Sequence, residues 1–232
     1  TQFYSYIETK IKIDNNDNDN SNMRIQSFLV LLVAMTSVLL RVVDGFGVRN
    51  LGSPHRIVVS PSVAKANVLR LGNDLQDAVN GGAEWLHFSV QDGRMVPKIS
   101  FGAPVVAACR DAFPYTVFDV KLGCIEPEHR VADFIKAGAD ILSVHPESTL
   151  QLGAVIHKIH AAGVAPGVVL NPGTSVSSVE HVLDQCQVAV VMLVNPGYGG
   201  PKYLKQAISK IKELRRLKPS LHISVDGGVS EK

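Results

Sequence analysis

The chain has 232 residues, with 23 Lys and Arg against 21 Asp and Glu, a formal charge of +2. That length suits one barrel-sized domain with a full core, and the balanced charge, with no long basic run, gives no reason to expect a nucleic-acid partner. The three cysteines, Cys109, Cys124 and Cys186, lie far apart with no C-x-x-C pair, so they read as reduced thiols rather than a disulfide framework or zinc knuckle.

The chain starts at Thr1, and residues 1–22 end in a polar Asn/Asp run from Asp14 to Asn22 with no apolar periodicity. They read as upstream or non-native sequence. Met23 and Arg24 then precede an apolar run from Phe28 to Leu40. That run is too short for a comfortable membrane span, and it has the order of a secretory signal: start, positive charge, apolar region, then small and polar residues. Residues 23–45 are therefore expected to be a targeting segment that leaves no stable membrane anchor after processing. The next residues, Val43-Asp44-Gly45-Phe46-Gly47, resemble the two-part plastid presequence of algae with complex plastids. This makes residues 46–55 a transit segment or linker and the plastid the expected location, with the secretory pathway as the alternative.

From Arg56 onward, apolar β-rich runs alternate with amphipathic stretches. Strands are expected at 57–62, 84–90, 116–122, 139–145, 164–170, 187–194 and 221–226. Helices are expected at 68–80, 127–136, 150–162 and 203–217, with Gly81-Gly82, Gly138 and Gly163 as C-terminal caps. Most strand runs are apolar on both faces, as a sheet covered on both sides requires. Seven strands in this order point to a parallel barrel or a doubly wound sheet.

In a barrel the chemistry gathers at the C-terminal strand ends. Those ends carry Ser62, His87 to Asp92, Asp119 to Leu122, His145, Asn171 to Thr174, Asn195 to Gly200, and Asp226 to Gly228. Polar groups on such apolar strands need partners, because burying them alone is costly. Two glycine-rich turns, 195–200 and 225–228, follow neighbouring strands. Backbone N–H groups there can form a nest for a phosphate, making Gly197, Gly199, Gly200, Gly227 and Gly228 candidate phosphate binders. His157 and His160 have the spacing of a solvated helix face, and His129, His181 and His222 show no partner. His145 is either a ligand-orienting group or a structural hydrogen-bonder.

An ordered set of motifs runs through this region: Ser60-Pro61-Ser62, Trp85-Leu86-His87, Asp92-Gly93 with Val96-Pro97, 134–140 (FIKAGAD), Val144-His145-Pro146-Glu147, 170–174 (LNPGT), 194–200 (VNPGYGG) and 225–228 (VDGG). From about Arg56 to the end it resembles the ribulose-phosphate 3-epimerase family. The resemblance implies a (β/α)8 TIM barrel over 56–232 with about seven of its eight βα units, the eighth strand expected beyond Lys232. It implies interconversion of ribulose 5-phosphate and xylulose 5-phosphate through an enediolate, a pentose phosphate partner held by Ser62, Tyr198 and the glycine turns, a homo-oligomer, and a divalent metal (Zn, Fe or Mn). The family's metal is held by two His and two Asp, and the two Asp also form the acid/base pair.

Two of those four positions differ here. His87 and Asp226 match, but the family's other Asp falls on Ser89 and its other His on Lys121. The family's methionines near the reacting carbon fall on Gln91 and Gly123, and a third is kept as Met192. Further departures are Lys65, Asn67, Lys98 and Pro201. Serine is a poor metal ligand and an ammonium repels a divalent ion, so His87 and Asp226 are expected to remain as a partial site without tight metal. Lys121 would then stabilise the enediolate itself, with Asp226 as the remaining acid/base. Two alternatives stay open: a non-catalytic sugar-phosphate-binding protein, and a lyase that uses Lys121, since Asp119-x-Lys121 resembles part of the Asp-x-Lys element of related decarboxylases and lyases.

Overall fold

The computed structural model describes residues 49–198 and 206–229. The upstream stretch read at 1–22, the targeting segment at 23–45, the first residues of the transit segment or linker at 46–55, and Gly199 and Gly200 lie outside the described residues. Six strands, β1 (Trp85–Gln91), β2 (Val117–Gly123), β3 (Ile141–Val144), β4 (Ala165–Leu170), β5 (Val188–Met192) and β6 (His222–Asp226), form one sheet in the order β1-β2-β3-β4-β5-β6. Every pairing is parallel. Helix α1 (Leu71–Asn80) precedes β1, and α2 (Ala103–Ala112), α3 (Val131–Lys136), α4 (Leu152–Ala161) and α5 (Gln206–Leu217) make the crossovers. Between β4 and β5 the crossover is two 3-10 turns, Val176–Ser178 and Glu180–Gln185. Sequential parallel order with crossover helices is the arrangement of a barrel wall.

Two expectations are corrected. The run 57–62 is not a strand. Only Ser62 pairs with β1, as an isolated bridge to His87, with the His87 N–H donating to the Pro61 carbonyl over 3.0 Å. Proline brings no N–H to a ladder, and Ile57 and Val59 are exposed rather than packed. Helix α2 is an addition to the helices expected from sequence. Pro104 in its first turn suits a helix start, where the missing N–H has no partner to lose. The caps behave as read after α3 and α4: Gly138 (φ 93°) and Gly163 (φ 73°) take the left-handed conformation that ends a helix.

Two apolar cores lie on the two faces of the sheet. The larger joins sheet to helices and includes Leu86, Phe88, Phe118, Val120, Leu142, Ile156 and Leu170. The smaller fills the inside of the curl with Trp85, Ile141, Ala165, Val169, Val188, Val190 and Met192. Side chains alternate faces along a strand. The residues two and four beyond Trp85 and Ile141 therefore project inward, above the apolar floor.

Candidate active site

Counting by twos from the floor places His87, Ser89 and Gln91 of β1, Asp119 and Lys121 of β2, Ser143 and the following His145 of β3, and Asp226 of β6 on the inner face. Register brings them together: His87 pairs with Asp119 and Ser89 with Lys121, and Lys121 pairs with Ser143. His87, Ser89, Asp119, Lys121, Ser143 and His145 are all buried, so each needs a partner or a stated cost.

Two hydrogen-bonded groups account for most of them. His87 Nδ1 lies 2.7 Å from Asp119 Oδ2, and His87 Nε2 lies 3.0 Å from Ser89 Oγ. A carboxylate can only accept, so Nδ1 carries the proton and donates to Asp119, leaving Nε2 to accept from the Ser89 hydroxyl. In the second group Lys121 Nζ donates to Asp226 Oδ2 and lies 3.5 Å from Met192 Sδ. The groups meet where His87 Nε2 stands 3.6 Å from Asp226 Oδ2. Burial alone would raise the Asp226 carboxyl, but the Lys121 ammonium beside it outweighs burial and holds Asp226 below the ordinary carboxylate range. Among the described residues, His145 Nδ1 and Nε2 and Ser143 Oγ have no hydrogen-bond partner, although the Glu147 carboxylate lies 3.9 Å from His145 Nδ1.

This donor set does not fit a divalent metal. A metal site needs deprotonated donors converging on one point. Here His87 turns one nitrogen to Asp119 and the other to Ser89, and Asp226 holds the Lys121 ammonium. Among the described residues no three His, Cys, Asp or Glu side chains gather where they could hold an ion.

A cavity of about 1410 Å³ opens above these groups and is lined by Ser62, Ser89, Lys121, Asp226, Gly197, Gly227 and Gly228, among others. The glycine turns pack closely. A Cβ on Gly227 (φ 100°) would come within 2.4 Å of Val194 Cγ2, and one on Gly197 (φ 81°) within 2.7 Å of Pro97 Cδ. Only glycine fits either place. Tyr198 is exposed and does not line the cavity. Sequence reasoning gave Asp119 only a place in an Asp-x-Lys element, and it missed the bonds of His87 to Asp119 and Ser89. The available signal was a lone acid on an apolar strand, at the register position facing a histidine. Cys124, two residues beyond Leu122, is a buried thiol pushed up to about 11, first by burial and then by the charge of Asp92.

Over residues 58–232 the chain matches the model of the ribulose-phosphate 3 epimerase family. It is 44% identical over 184 residues to the chloroplastic ribulose-5-phosphate-3-epimerase of Arabidopsis thaliana, covering 77% of this chain and 65% of that protein, just under two thirds of its length. It is 43% identical over 180 residues to the ribulose-phosphate 3-epimerase of Bacillus subtilis, covering 75% of this chain and 82% of that protein. Among solved structures it is similar to the 3-keto-L-gulonate-6-phosphate decarboxylase of Vibrio cholerae, with a TM-score of 0.57 at 13% identity over 74% of this chain and 78% of that chain. It is also similar to a ligand complex of KGPDC from Streptococcus mutans, with a TM-score of 0.55 at 16% identity over 73% of this chain and 77% of that chain. At such identities the structural likeness speaks to the fold alone.

Proposed function

The chain belongs to the ribulose-phosphate 3-epimerase family, and from that premise we propose that it interconverts ribulose 5-phosphate and xylulose 5-phosphate at carbon 3, with no metal in its centre. The observation that carries this reading is the Lys121–Asp226 pair on the wall of the cavity. It supplies a fixed positive charge and an ionised carboxylate side by side. Asp226 serves as an acid/base group at carbon 3. The Lys121 ammonium stabilises the negative charge that develops on the sugar oxygens when the proton leaves, which is electrostatic stabilisation by a preorganised group. Ser62 and the backbone of Gly197, Gly227 and Gly228 hold the phosphate end.

A non-catalytic sugar-phosphate-binding role is the second reading. It is favoured by the same pair, because an ion-paired Asp226 is a weaker base than a free one. The lyase reading is the less favoured of the three, because Asp119 bonds His87 rather than Lys121. The plastid assignment rests on the sequence of residues 23–55 and on the similarity to a chloroplastic relative, and the homo-oligomer on the family.

Asp226→Asn tests the assignment. Turnover of ribulose 5-phosphate should fall by at least about 10²-fold, on the usual scale of acid/base catalysis, while affinity for inorganic phosphate stays within about twofold. Unchanged turnover contradicts the role of Asp226. Phosphate binding without turnover in the unaltered protein supports the binding reading.

A further inference from the structure

Epimerisation needs a second acid/base group on the opposite face of carbon 3, and the residue matching the family's second carboxylate is Ser89. A serine hydroxyl alone is a poor base. Ser89 is not alone. Its Oγ lies 3.0 Å from His87 Nε2, and His87 Nδ1 lies 2.7 Å from Asp119 Oδ2. All three side chains are buried. His87 and Asp119 face each other across the β1–β2 ladder, and Ser89, two residues further along the same face, reaches the cavity. A hydroxyl bonded to an imidazole whose other nitrogen is fixed by a buried carboxylate is the arrangement that activates a serine on unrelated folds, recognised by geometry rather than by sequence position.

We propose that Ser89, His87 and Asp119 form a proton relay in which the Ser89 hydroxyl is the second catalytic group at carbon 3, opposite Asp226; this rests on the epimerase reading above. The proton on carbon 3 passes to Ser89 Oγ as the hydroxyl proton passes to His87 Nε2. The C–H electron pair moves into the carbon 2–carbon 3 bond, and the carbonyl electrons move onto the carbon 2 oxygen beside Lys121. On the other face, a Lys121 proton passes to Asp226, and Asp226 delivers it to carbon 3. His87 is left as imidazolium and Lys121 as the neutral amine. The imidazolium proton returns to Lys121 through Asp226, whose Oδ2 stands 3.6 Å from His87 Nε2 and accepts from Lys121 Nζ. No proton is gained or lost in the cycle, and no metal takes part. Asp119 is a positioning residue: it holds His87 in the tautomer that accepts from Ser89.

The test is washout of deuterium from carbon 3 into ordinary water, measured by NMR on the full chain with each epimer in turn, for the unaltered protein and for Ser89→Ala. The unaltered protein should epimerise and wash out label from both epimers. Ser89→Ala should lose epimerisation by about 10²-fold or more yet still wash out label from one epimer, the one whose C–H faces Asp226. A merely structural role for Ser89 would reduce washout from both epimers together. That result, or undiminished epimerisation by Ser89→Ala, overturns the relay and leaves the epimerase reading standing. Covalent labelling of Ser89 by a fluorophosphonate, combined with unchanged epimerisation, overturns it in favour of a nucleophilic serine. An unaltered protein that neither epimerises nor washes out label fails at the epimerase reading itself, and the relay falls with it.

Discussion

His145 shows most plainly what one buried residue does to this molecule. Its ring is 1% exposed on the inner face just after β3, and neither nitrogen has a hydrogen-bond partner among the described residues. Burial, and then the charge of Lys121, push it down to about 3. In the unfolded chain a histidine takes up a proton near the ordinary value of 6.5, while the folded protein refuses it until about 3. Between those limits the unfolded state binds more protons, so stability falls as pH drops, by up to about 1.4 kcal/mol per pH unit. Urea unfolding at about pH 7 and about pH 5, above the carboxylate range, should therefore show a loss that His145→Leu reduces. Equal losses in both proteins would contradict a buried neutral His145. From sequence, His145 was equally a ligand-orienting group or a structural hydrogen-bonder. Its environment is supplied by Lys121 and Asp226, which are remote in sequence. The neighbours of Ser89 were hidden for the same reason: His87 lies two residues away, but Asp119 joins it only across the β1–β2 ladder.

At the scale of elements, β3 and β4 are fitted to each other through a missing side chain. Ser143 pairs in register with Gly167, and a Cβ on Gly167 would come within 2.1 Å of Ser143 Oγ. Gly167→Ala should cost on the order of 1–3 kcal/mol in chemical denaturation, the usual scale of overpacking. Ser143→Ala should recover most of that loss in the double variant, because the two sites share one space. Additive losses would mean that the clash lies elsewhere. Strands β1 to β5 were legible because apolar runs buried on both faces leave a strong pattern. The run 57–62 carries the same pattern without the same pairing, since Ile57 and Val59 find no cover among the described residues. Helix α2 shows no clear helical stripe in the sequence because its apolar residues, Val105 to Cys109, run consecutively.

Across the whole molecule, the fold and family were readable from motifs in fixed order, because glycine turns and strand ends are dictated by local backbone geometry. The chemistry of the centre was readable only in part. The sequence shows that Ser89 and Lys121 replace two ligands. It does not show that the replacements are coupled, one to His87 and Asp119 and the other to Asp226 and Met192. On the function proposed above, that coupling is what lets the Lys121 ammonium do the electrostatic work a divalent ion does in the family. The measurement that tests this most directly is the conversion of ribulose 5-phosphate to xylulose 5-phosphate by metal-stripped protein in excess chelator. Turnover within about twofold of the untreated protein is the predicted result. Turnover that vanishes with the chelator and returns on adding zinc, iron or manganese would contradict it.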